Sequence, residues 1–316
     1  MTVQGTDGQP LVSVVIPSYN RAQEVALALD SINEPGLNLG QIQIIVVDNA
    51  STDDIHGVVK RHAARFPQFV FRQWESNVGP IENWRRGIDL AEAPWLKILW
   101  SDDRLEPRTI ERMLAAADRS DASVVTCRVA VDYPGGTSVE RYLDRPTTLT
   151  PDIIASELLH FPAGLPSSPG AALVRTDDAR AALDAPLPAP CLARAIGPDL
   201  AITYWGVFSG GIGIHLPDVL ARFSAGDDSI TVRTNRSILS SCYSAALDSM
   251  IARFTPDISA TTMRRLRSRS ALDSLLGGEP EALLTPRRLS LRATAYDTFQ
   301  LSRYAIRTHL LRRKTI

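Results

Sequence analysis

Two adjacent carboxylates, Asp102 and Asp103, directly follow the apolar run 96–100, which has the composition of a buried strand. Adjacent carboxylates repel each other, and a hard divalent cation relieves that repulsion because it binds oxygen ligands. Such a cation keeps several waters and bridges substrate phosphates, so it needs few protein ligands. One interpretation of the pair is therefore a metal site. The other is that the pair only favours the start of the helix that we expect at Pro107.

The elements that carry this pair follow a repeated pattern. Apolar, β-branched runs at 11–16, 42–47, 69–74 and 95–100 predict four buried strands, and helical spacing predicts a helix after each of them. Ser51, Thr52 and Asp53 are typical of a helix N-cap, and Pro80 and Pro107 of a first helical turn. Strands that alternate with helices predict an α/β fold with a mostly parallel sheet flanked by helices. Ligands of such sheets bind beyond the carboxyl ends of the strands.

The rest of the chain is less regular. We expect a strand at 123–131, loops with short helices from 161 to 198, and an arginine-rich helical region from about 229. The expected division is a flexible N-terminus at 1–9, one α/β domain at 10–228 and a helical, basic C-terminal region at 229–316.

Four motifs stand in order over the first 110 residues. They read Ile-Pro-Ser-Tyr-Asn-Arg at 16–21, Val-Asp-Asn-Ala-Ser-Thr-Asp at 47–53, Asn-Val-Gly at 77–79 and Ser-Asp-Asp at 101–103. In these motifs the sequence resembles the family 2 glycosyltransferases. That resemblance implies the GT-A fold, which is Rossmann-like, together with a nucleotide-sugar donor and a divalent cation, Mn²⁺ or Mg²⁺.

The resemblance also implies roles for individual residues. Ser18 and Tyr19 would line the nucleotide pocket, with Tyr19 against the base, and Asp48 and Asn49 would meet the ribose and base. Asn49 stands where the family often has aspartate, but its amide oxygen can still accept a hydrogen bond from a uracil-like ring. The family gives the first aspartate of the pair to donor hydroxyls and the second to the metal. The residues implied for the nucleotide sugar are Pro17, Ser18, Tyr19, Asp48, Asn49, Asn77, Gly79 and Asp102, and the residue implied for the metal is Asp103.

An inverting transfer needs a general base for the acceptor hydroxyl. The family places its base in the second half of the domain, usually as an aspartate before an amphipathic helix, and residues 197–205 fit that description. Asp199 is therefore the candidate base, and its alternative is an ordinary N-cap. A family segment that often contains Arg-x-His corresponds loosely to Arg222 and the residues after it, where the histidine is missing. We expect His215 to be structural.

Composition limits the partners. The net charge of −1 argues against nucleic acid. The three dispersed cysteines and the lack of a signal-peptide pattern or a long apolar run favour a cytoplasmic protein. The tail 287–316 is basic and amphipathic. It could rest on an anionic membrane as a peripheral contact, or it could pack on the enzyme or on the second copy of a homodimer.

Other enzyme classes fit less well. A dehydrogenase would need a glycine-rich first turn, and no GxxxxGK[ST] of a P-loop enzyme occurs. We therefore predict an inverting, metal-dependent glycosyltransferase that uses a UDP- or dTDP-sugar and a saccharide or lipid-linked acceptor in surface polysaccharide or glycolipid synthesis. The alternatives are a catalytically silent binding or scaffolding subunit with the same fold, and a sugar nucleotidyltransferase.

Overall fold

A computed structural model describes residues 9–159, 164–226 and 233–275. Within these ranges the strands are β1 (Val12–Ser18), β2 (Ile42–Asp48), β3 (Gln68–Gln73), β4 (Trp95–Ile98), β5 (Arg104–Leu105), β6 (Val124–Asp132), β7 (Ser138–Arg141), β8 (Thr147–Leu149), β9 (Ala172–Arg175) and β10 (Gly213–Ser224). The helices are α1 (Ala22–Ser31), α2 (Ile55–Ala63), α3 (Pro80–Asp89), α4 (Thr109–Ser120), α5 (Pro151–Leu158), α6 (Thr176–Ala182), α7 (Ala189–Arg194), α8 (Pro198–Phe208), α9 (Arg236–Phe254) and α10 (Ala260–Leu275).

One curled sheet joins these strands in the order β3-β2-β1-β4-β9-β6-β10-β5, and β7 and β8 add to β6 and β10. The first four strands are parallel, as the sequence predicts. Strand β9 lies antiparallel between β4 and β6, and β10 runs parallel to β6. The carboxyl ends of β1, β2, β4, β6 and β10 therefore point to the same edge of the sheet.

The core lies on both faces of the sheet because alternate residues of each strand point to opposite sides. Val14 and Ile44 pack with α1, α2 and α4 on one face. Val15 and Ile45 pack with α3, α6, α8 and α9 on the other. The mixed α/β fold that the sequence predicts is confirmed.

Two helix starts differ from the expectation. Helix α2 is capped by Asp54, whose side chain accepts from Gly57 N, and not by residues 51–53. Helix α4 begins at Thr109, two residues after Pro107, and its free N–H groups on residues 110 and 111 donate to the Glu34 carboxylate. The interpretation of the acidic pair as a cap for this helix is therefore wrong, because a carboxylate from the α1–β2 connection fills that role.

The second half holds more regular structure than expected. Strand β9 and helix α6 fall inside the stretch that we predict as loops with short helices. The strand is only four residues long, so it shows no periodicity of its own. Helix α8 is buried around nearly its whole circumference, so the prediction of an amphipathic helix there is wrong.

Some predictions concern residues outside the described ranges. The flexible N-terminus lies outside them except for residue 9, and the domain boundary near 228 and the basic tail from 287 lie entirely outside. No helix among the described residues combines the length and apolarity needed to cross a bilayer.

Candidate active site

The loops after β1 and β2 are fastened to each other by their own polar residues. Asn20 has a left-handed backbone conformation, and its side chain accepts from Thr52 N at 2.9 Å, while its N–H donates to Ser51 Oγ at 2.7 Å. Asp53 accepts from Ala22 N at 2.7 Å, which satisfies a free N–H at the start of α1. The motif residues thus shape this edge of the sheet, since each loop holds the other.

Asp48 is fully buried at the end of β2, opposite Ser18 of β1. Its carboxylate accepts from Ser51 N at 2.8 Å, from Gln73 Nε2 at 2.9 Å and from the Ser51 hydroxyl. The side chain that the resemblance assigns to the ribose therefore already holds three hydrogen bonds within the protein.

Asn49 links the second loop to the third. Its Oδ1 accepts from Val78 N at 2.8 Å and its Nδ2 donates to Asn77 Oδ1 at 2.9 Å. Asn77 Oδ1 also accepts from Gly79 N at 2.9 Å. Gly79 has φ 81 and ψ 165, a conformation that is open essentially to glycine alone, and it leads into α3 through Pro80. Asn77 and Gly79 thus form a rigid turn beside the pocket.

Tyr19 is a large aromatic side chain exposed at this edge, with 47% of its surface accessible. Pro17 lies inside β1 and is paired with Val47, so it positions the loop without reaching its surface. The Ser18 hydroxyl is buried and has no hydrogen-bond partner among the residues that the structure describes. An exposed aromatic ring beside an unsatisfied hydroxyl is a suitable start for a nucleoside pocket.

The acidic loop after β4 brings Asp102 and Asp103 to the same edge. A turn closes with Asp103 N donating to Trp100 O at 3.0 Å, which ends the strand two residues earlier than predicted. Asp102 pairs with Arg21 of the first loop at 2.5 Å. Asp103 is buried and accepts from Ser224 N, at the end of β10, at 3.1 Å. Two distant parts of the chain therefore converge on this pair.

The electrostatics of the acidic loop single out Asp103. Burial and the neighbouring charge of Asp102 raise the pKa of Asp103 well above its ordinary value, against the opposing effects of Lys97 and Arg21. Lys97 is fully buried on β4, where its Nζ donates to Ile98 O at 3.2 Å and to Gly170 O. Burial lowers the pKa of Lys97 to about 8. The loop thus holds a carboxylate whose charge is only partly compensated.

Asp199 lies in the first turn of α8. Its Oδ1 accepts from Gly197 N at 2.8 Å and its Oδ2 accepts from the Tyr243 hydroxyl, on α9, at 2.8 Å. Burial raises the pKa of Asp199 to about 6, although these hydrogen bonds act in the opposite direction. A carboxylate with that pKa is mostly ionised at pH 7 and is well matched to proton transfer near neutrality.

A short segment connects the acidic loop to Asp199. Trp100 Nε1 donates to Ser168 Oγ at 2.8 Å, and the preceding residue, Ser167, is hydrogen-bonded to Tyr243. Tyr142, whose backbone is also left-handed at φ 75, lies within electrostatic range of both Asp103 and Asp199. These contacts place the candidate base on the same side of the molecule as the acidic pair.

Two other polar residues near this edge are occupied by the protein itself. His215 is buried, with one ring nitrogen 2.9 Å from Thr126 Oγ1 and the other 2.8 Å from Leu143 O, so the expectation that it is structural is confirmed. Arg222 pairs with Asp132 at 2.7 Å and with Glu106 at 3.2 Å. Among the described residues, no three His, Cys, Asp or Glu side chains group as metal ligands.

Comparison with known proteins agrees with this geometry. The sequence profile described as Glycosyl transferase family 2 matches residues 13–171, just over half of the chain and all four motifs. The chain belongs to glycosyl transferase family 2.

Relatives within the family match over a limited length. A PGL/p-HBAD biosynthesis glycosyltransferase of Mycobacterium bovis is 31% identical over 107 residues, which is 34% of this chain and 41% of that protein. The chain spans less than half the length of the curated relatives at the head of the comparison.

Solved structures extend the likeness to nearly the whole chain. S. aureus TarS in complex with UDP-GlcNAc superposes with a TM-score of 0.64 at 15% identity, covering 93% of this chain and 81% of that one. The mannosyltransferase PcManGT from Pyrobaculum calidifontis, in complex with GDP-Man and Mn²⁺, gives a TM-score of 0.51 at 17% identity and covers 94% and 86%. At these identities the likeness establishes the fold, which is the GT-A type.

Sequence reasoning about this family 2 chain misses three residues at the site. Lys97 could have been found, because a lysine inside an otherwise apolar strand must be buried with a partner. Arg21 is part of the first motif, but nothing in its spacing indicates the ion pair with Asp102. Tyr243 lies 44 positions after Asp199 on a separate helix, and no local pattern in the sequence predicts their contact.

Proposed function

We propose that this chain is an inverting, metal-dependent glycosyltransferase that moves a sugar from a UDP- or dTDP-sugar to a saccharide or lipid-linked acceptor. Family membership supports the transfer reaction. The observation that carries the proposal is the loop at 101–103, where a buried carboxylate of raised pKa adjoins a second one at the carboxyl edge of the sheet. Ligands of open α/β sheets bind at that edge.

The donor pocket follows from the three fastened loops. Tyr19 offers an exposed ring for the base, and the buried Ser18 hydroxyl lacks a partner among the described residues, so a nucleotide could supply one. Asp48 and Asn49 contribute less directly than the resemblance implies, because their polar atoms hold the loops together. TarS in complex with UDP-GlcNAc and PcManGT in complex with GDP-Man have the same fold, which supports a nucleotide-sugar donor of one of these classes.

The acidic pair fits a hard divalent cation. Both side chains offer carboxylate oxygens, which Mn²⁺ and Mg²⁺ prefer, and Asp103 holds a single hydrogen bond from the rest of the described chain. The raised pKa of Asp103 reflects a charge that a nearby cation would offset. A cation held by Asp103 and the donor diphosphate would supply positive charge where the departing nucleoside diphosphate becomes negative.

A side chain of the protein accounts for the removal of the acceptor proton. The acceptor hydroxyl oxygen forms a bond to the anomeric carbon while the bond from that carbon to the diphosphate oxygen breaks on the opposite face. Asp199 takes the hydroxyl proton, and each of its carboxylate oxygens keeps a second lone pair for this purpose. Attack from the face opposite the leaving group inverts the anomeric configuration.

The acceptor class is inferred from a relative. The printed name of the M. bovis relative refers to PGL/p-HBAD biosynthesis, which supports a role in surface glycolipid or polysaccharide synthesis. Membrane contact and dimerisation through the basic tail stay predictions, because the tail lies outside the described residues.

A thermal-shift panel tests the donor and the metal together. UDP, dTDP and GDP are each added with and without Mn²⁺, followed by the matching nucleotide sugars. A ligand at about 100 times its dissociation constant stabilises the folded protein by roughly 2.7 kcal/mol. We expect UDP or dTDP to shift the unfolding temperature more with Mn²⁺ than alone, and the matching sugar donor to release nucleoside diphosphate.

Asp103→Ala and a surface control separate the outcomes. Asp177 is 93% exposed and pairs with Arg180 on the surface, so Asp177→Ala is expected to keep the full shift. Asp103→Ala is expected to lose the part that depends on Mn²⁺. A shift that is equal with and without Mn²⁺ would contradict the metal site. So would a Mn²⁺-dependent part of the shift that survives in Asp103→Ala. Binding without release of nucleoside diphosphate from any donor would favour a silent binding subunit instead.

A further inference from the structure

The carboxylate of Asp199 is held at both oxygens, and one of the two partners comes from far along the chain. Gly197 N donates to Oδ1 from the same helix turn, whereas the Tyr243 hydroxyl donates to Oδ2 from α9. A carboxyl group rotates easily about its terminal bond unless both oxygens are engaged. The Tyr243 hydrogen bond therefore fixes the plane of the carboxylate.

The surroundings of Tyr243 keep its hydroxyl protonated. Burial and the charge of Asp199 raise its pKa well above the ordinary value, so the phenol retains its proton and stays a donor. Its oxygen is also hydrogen-bonded to Ser167, next to the residue that binds Trp100 of the acidic loop. Tyr243 thus connects the segment under the acidic loop to the carboxylate on α8.

We propose that Tyr243 is a positioning residue for the general base, so that helix α9 completes the active site formed by the α/β sheet. The inference rests on the proposed function, because it takes Asp199 to be the base. Helix α9 lies beyond residues 13–171, which the family profile matches.

The surroundings of Asp199 make its titration a clean readout. Two tyrosines interact with it, Tyr243 on α9 and Tyr142 in the connection after β7, whereas Tyr204 lies five residues further along α8. The pKa of Asp199 is governed by burial and by hydrogen bonds, without a dominant charged neighbour among the described residues. A hydrogen bond to the ionised form lowers the pKa of a carboxyl, so its removal raises that pKa.

The test compares two hydroxyl deletions. Tyr243→Phe removes the donor to Asp199, and Tyr204→Phe removes a buried hydroxyl that donates to Pro166 O at 2.6 Å on the same helix as Asp199. Aspartate labelled with ¹³C at the carboxyl carbon is titrated by NMR, and the variant Asp199→Asn identifies the resonance. We expect a midpoint near pH 6 in the unsubstituted protein. In Tyr243→Phe we expect the midpoint to rise by about one pH unit, and in Tyr204→Phe to stay unchanged.

Kinetics on the same variants show whether orientation matters for catalysis. With the donor selected by the thermal-shift panel, kcat of Tyr243→Phe at pH 8 is expected to fall about 10-fold with a nearly unchanged KM for the donor, since misorientation affects the reacting geometry. Ser167→Ala loosens Tyr243 without touching Asp199 and is expected to change both readouts in the same direction by less.

The outcomes distinguish this inference from the proposed function. Full turnover in Asp199→Asn would remove the base assignment and the inference with it. Inactive Asp199→Asn, combined with an unmoved midpoint in Tyr243→Phe or an equal rise in Tyr204→Phe, would overturn the role of Tyr243 alone.

Discussion

Asp48 and Asp103 are both buried at the carboxyl edge of the sheet, yet they differ in the number of hydrogen bonds that they accept. Asp48 receives hydrogen bonds from Ser51 N, the Ser51 hydroxyl and Gln73 Nε2. Asp103 receives one, from Ser224 N, and its pKa is raised by burial and by Asp102. One carboxylate is satisfied by the fold, and the other is left with a charge that the fold does not fully compensate.

The same contrast divides the whole site. The loops at 48–53 and 77–79 use their polar atoms on each other, so they provide a fixed shape for a ligand. The acidic loop and Asp199 keep carboxylates of raised pKa, which have unused capacity for a cation or a proton. Groups with strongly perturbed pKa values cluster where chemistry occurs. The contrast supports the proposal that the first set of residues positions the substrate and the second set acts on it.

The strongest way to break this comparison is to neutralise Asp103. In Asp103→Asn we expect turnover with Mn²⁺ and the selected donor to fall at least about 10³-fold, because charge stabilisation at the leaving group is lost. Release of nucleoside diphosphate measures the rate. Asp177→Asn, a neutralisation on the surface, is expected to leave the rate unchanged. A loss of less than tenfold in Asp103→Asn would place the metal elsewhere.

The pH dependence of turnover tests the second reactive carboxylate. Asp199 must be deprotonated to act as a base, and its pKa is raised to about 6. At saturating donor and Mn²⁺, kcat is therefore expected to be level above pH 7 and to fall about tenfold per pH unit below 6. Stopped assays across pH 4.5–8.5 measure the profile. A profile that is still level at pH 5, as expected for an aspartate of ordinary pKa, would exclude Asp199 as the group that titrates.

The part of this site that the sequence predicts is the part built from local segments. The first four strands and the loops that follow them could be placed because each strand is a continuous apolar run, and parallel strands bring their loops to one edge. The charge repulsion of the acidic pair indicated either a metal site or a helix cap, and the other three motifs favoured the metal site. Residue types and spacing therefore sufficed to predict which loops lie together at this edge of the sheet.

The roles within the site depend on contacts that a linear pattern does not contain. Asn49 was expected to meet the base, but Asn77 and Val78, from another loop, use its amide. The cap of α4 is Glu34, which lies 76 positions before Ile110 and accepts a hydrogen bond from its N–H. Tyr243 and Ser224 likewise reach the site from distant elements. The last two partners lie on β10 and α9, and their positions depend on how these elements pack against the first half of the chain.

Tyr19 sharpens the comparison because we propose that it stacks on the base, and about half of it is exposed in the fold. With 47% of its surface exposed, Tyr19→Ala is expected to leave the unfolding temperature within about 1 °C. Loss of stacking on the base should weaken nucleoside diphosphate binding about tenfold. Calorimetric titration measures the affinity, and Tyr19→Phe, which keeps the ring, should bind nearly as the unsubstituted protein does. An equal loss in both variants would show that the hydroxyl and not the ring is recognised.

The last prediction concerns stability. Neutralising Asp48 is expected to lower the free energy of unfolding, and neutralising Asp103 is expected to raise it. In Asp48→Asn one oxygen can still accept from Ser51 N and Gln73 Nε2, but the amide NH2 replaces the oxygen that accepts from the Ser51 hydroxyl, and the acceptor loses its charge. The free energy of unfolding is therefore expected to fall by about 1–3 kcal/mol. In Asp103→Asn a buried charge is removed, so stability at pH 7 without metal is expected to rise. Urea unfolding in the presence of a chelator measures both.

The stability gained in Asp103→Asn is expected to depend on pH, because proton binding and folding are linked. The folded state holds the Asp103 proton more tightly than the unfolded state, so stability falls as pH rises from the ordinary aspartate pKa toward the raised one. The advantage of Asp103→Asn should therefore be small near pH 4, where the carboxyl of the unsubstituted protein is protonated, and should grow as the pH rises. A destabilised Asp103→Asn at pH 7 would mean that its carboxylate, like that of Asp48, is needed by the fold, and the division between shaping and reacting groups would then fail.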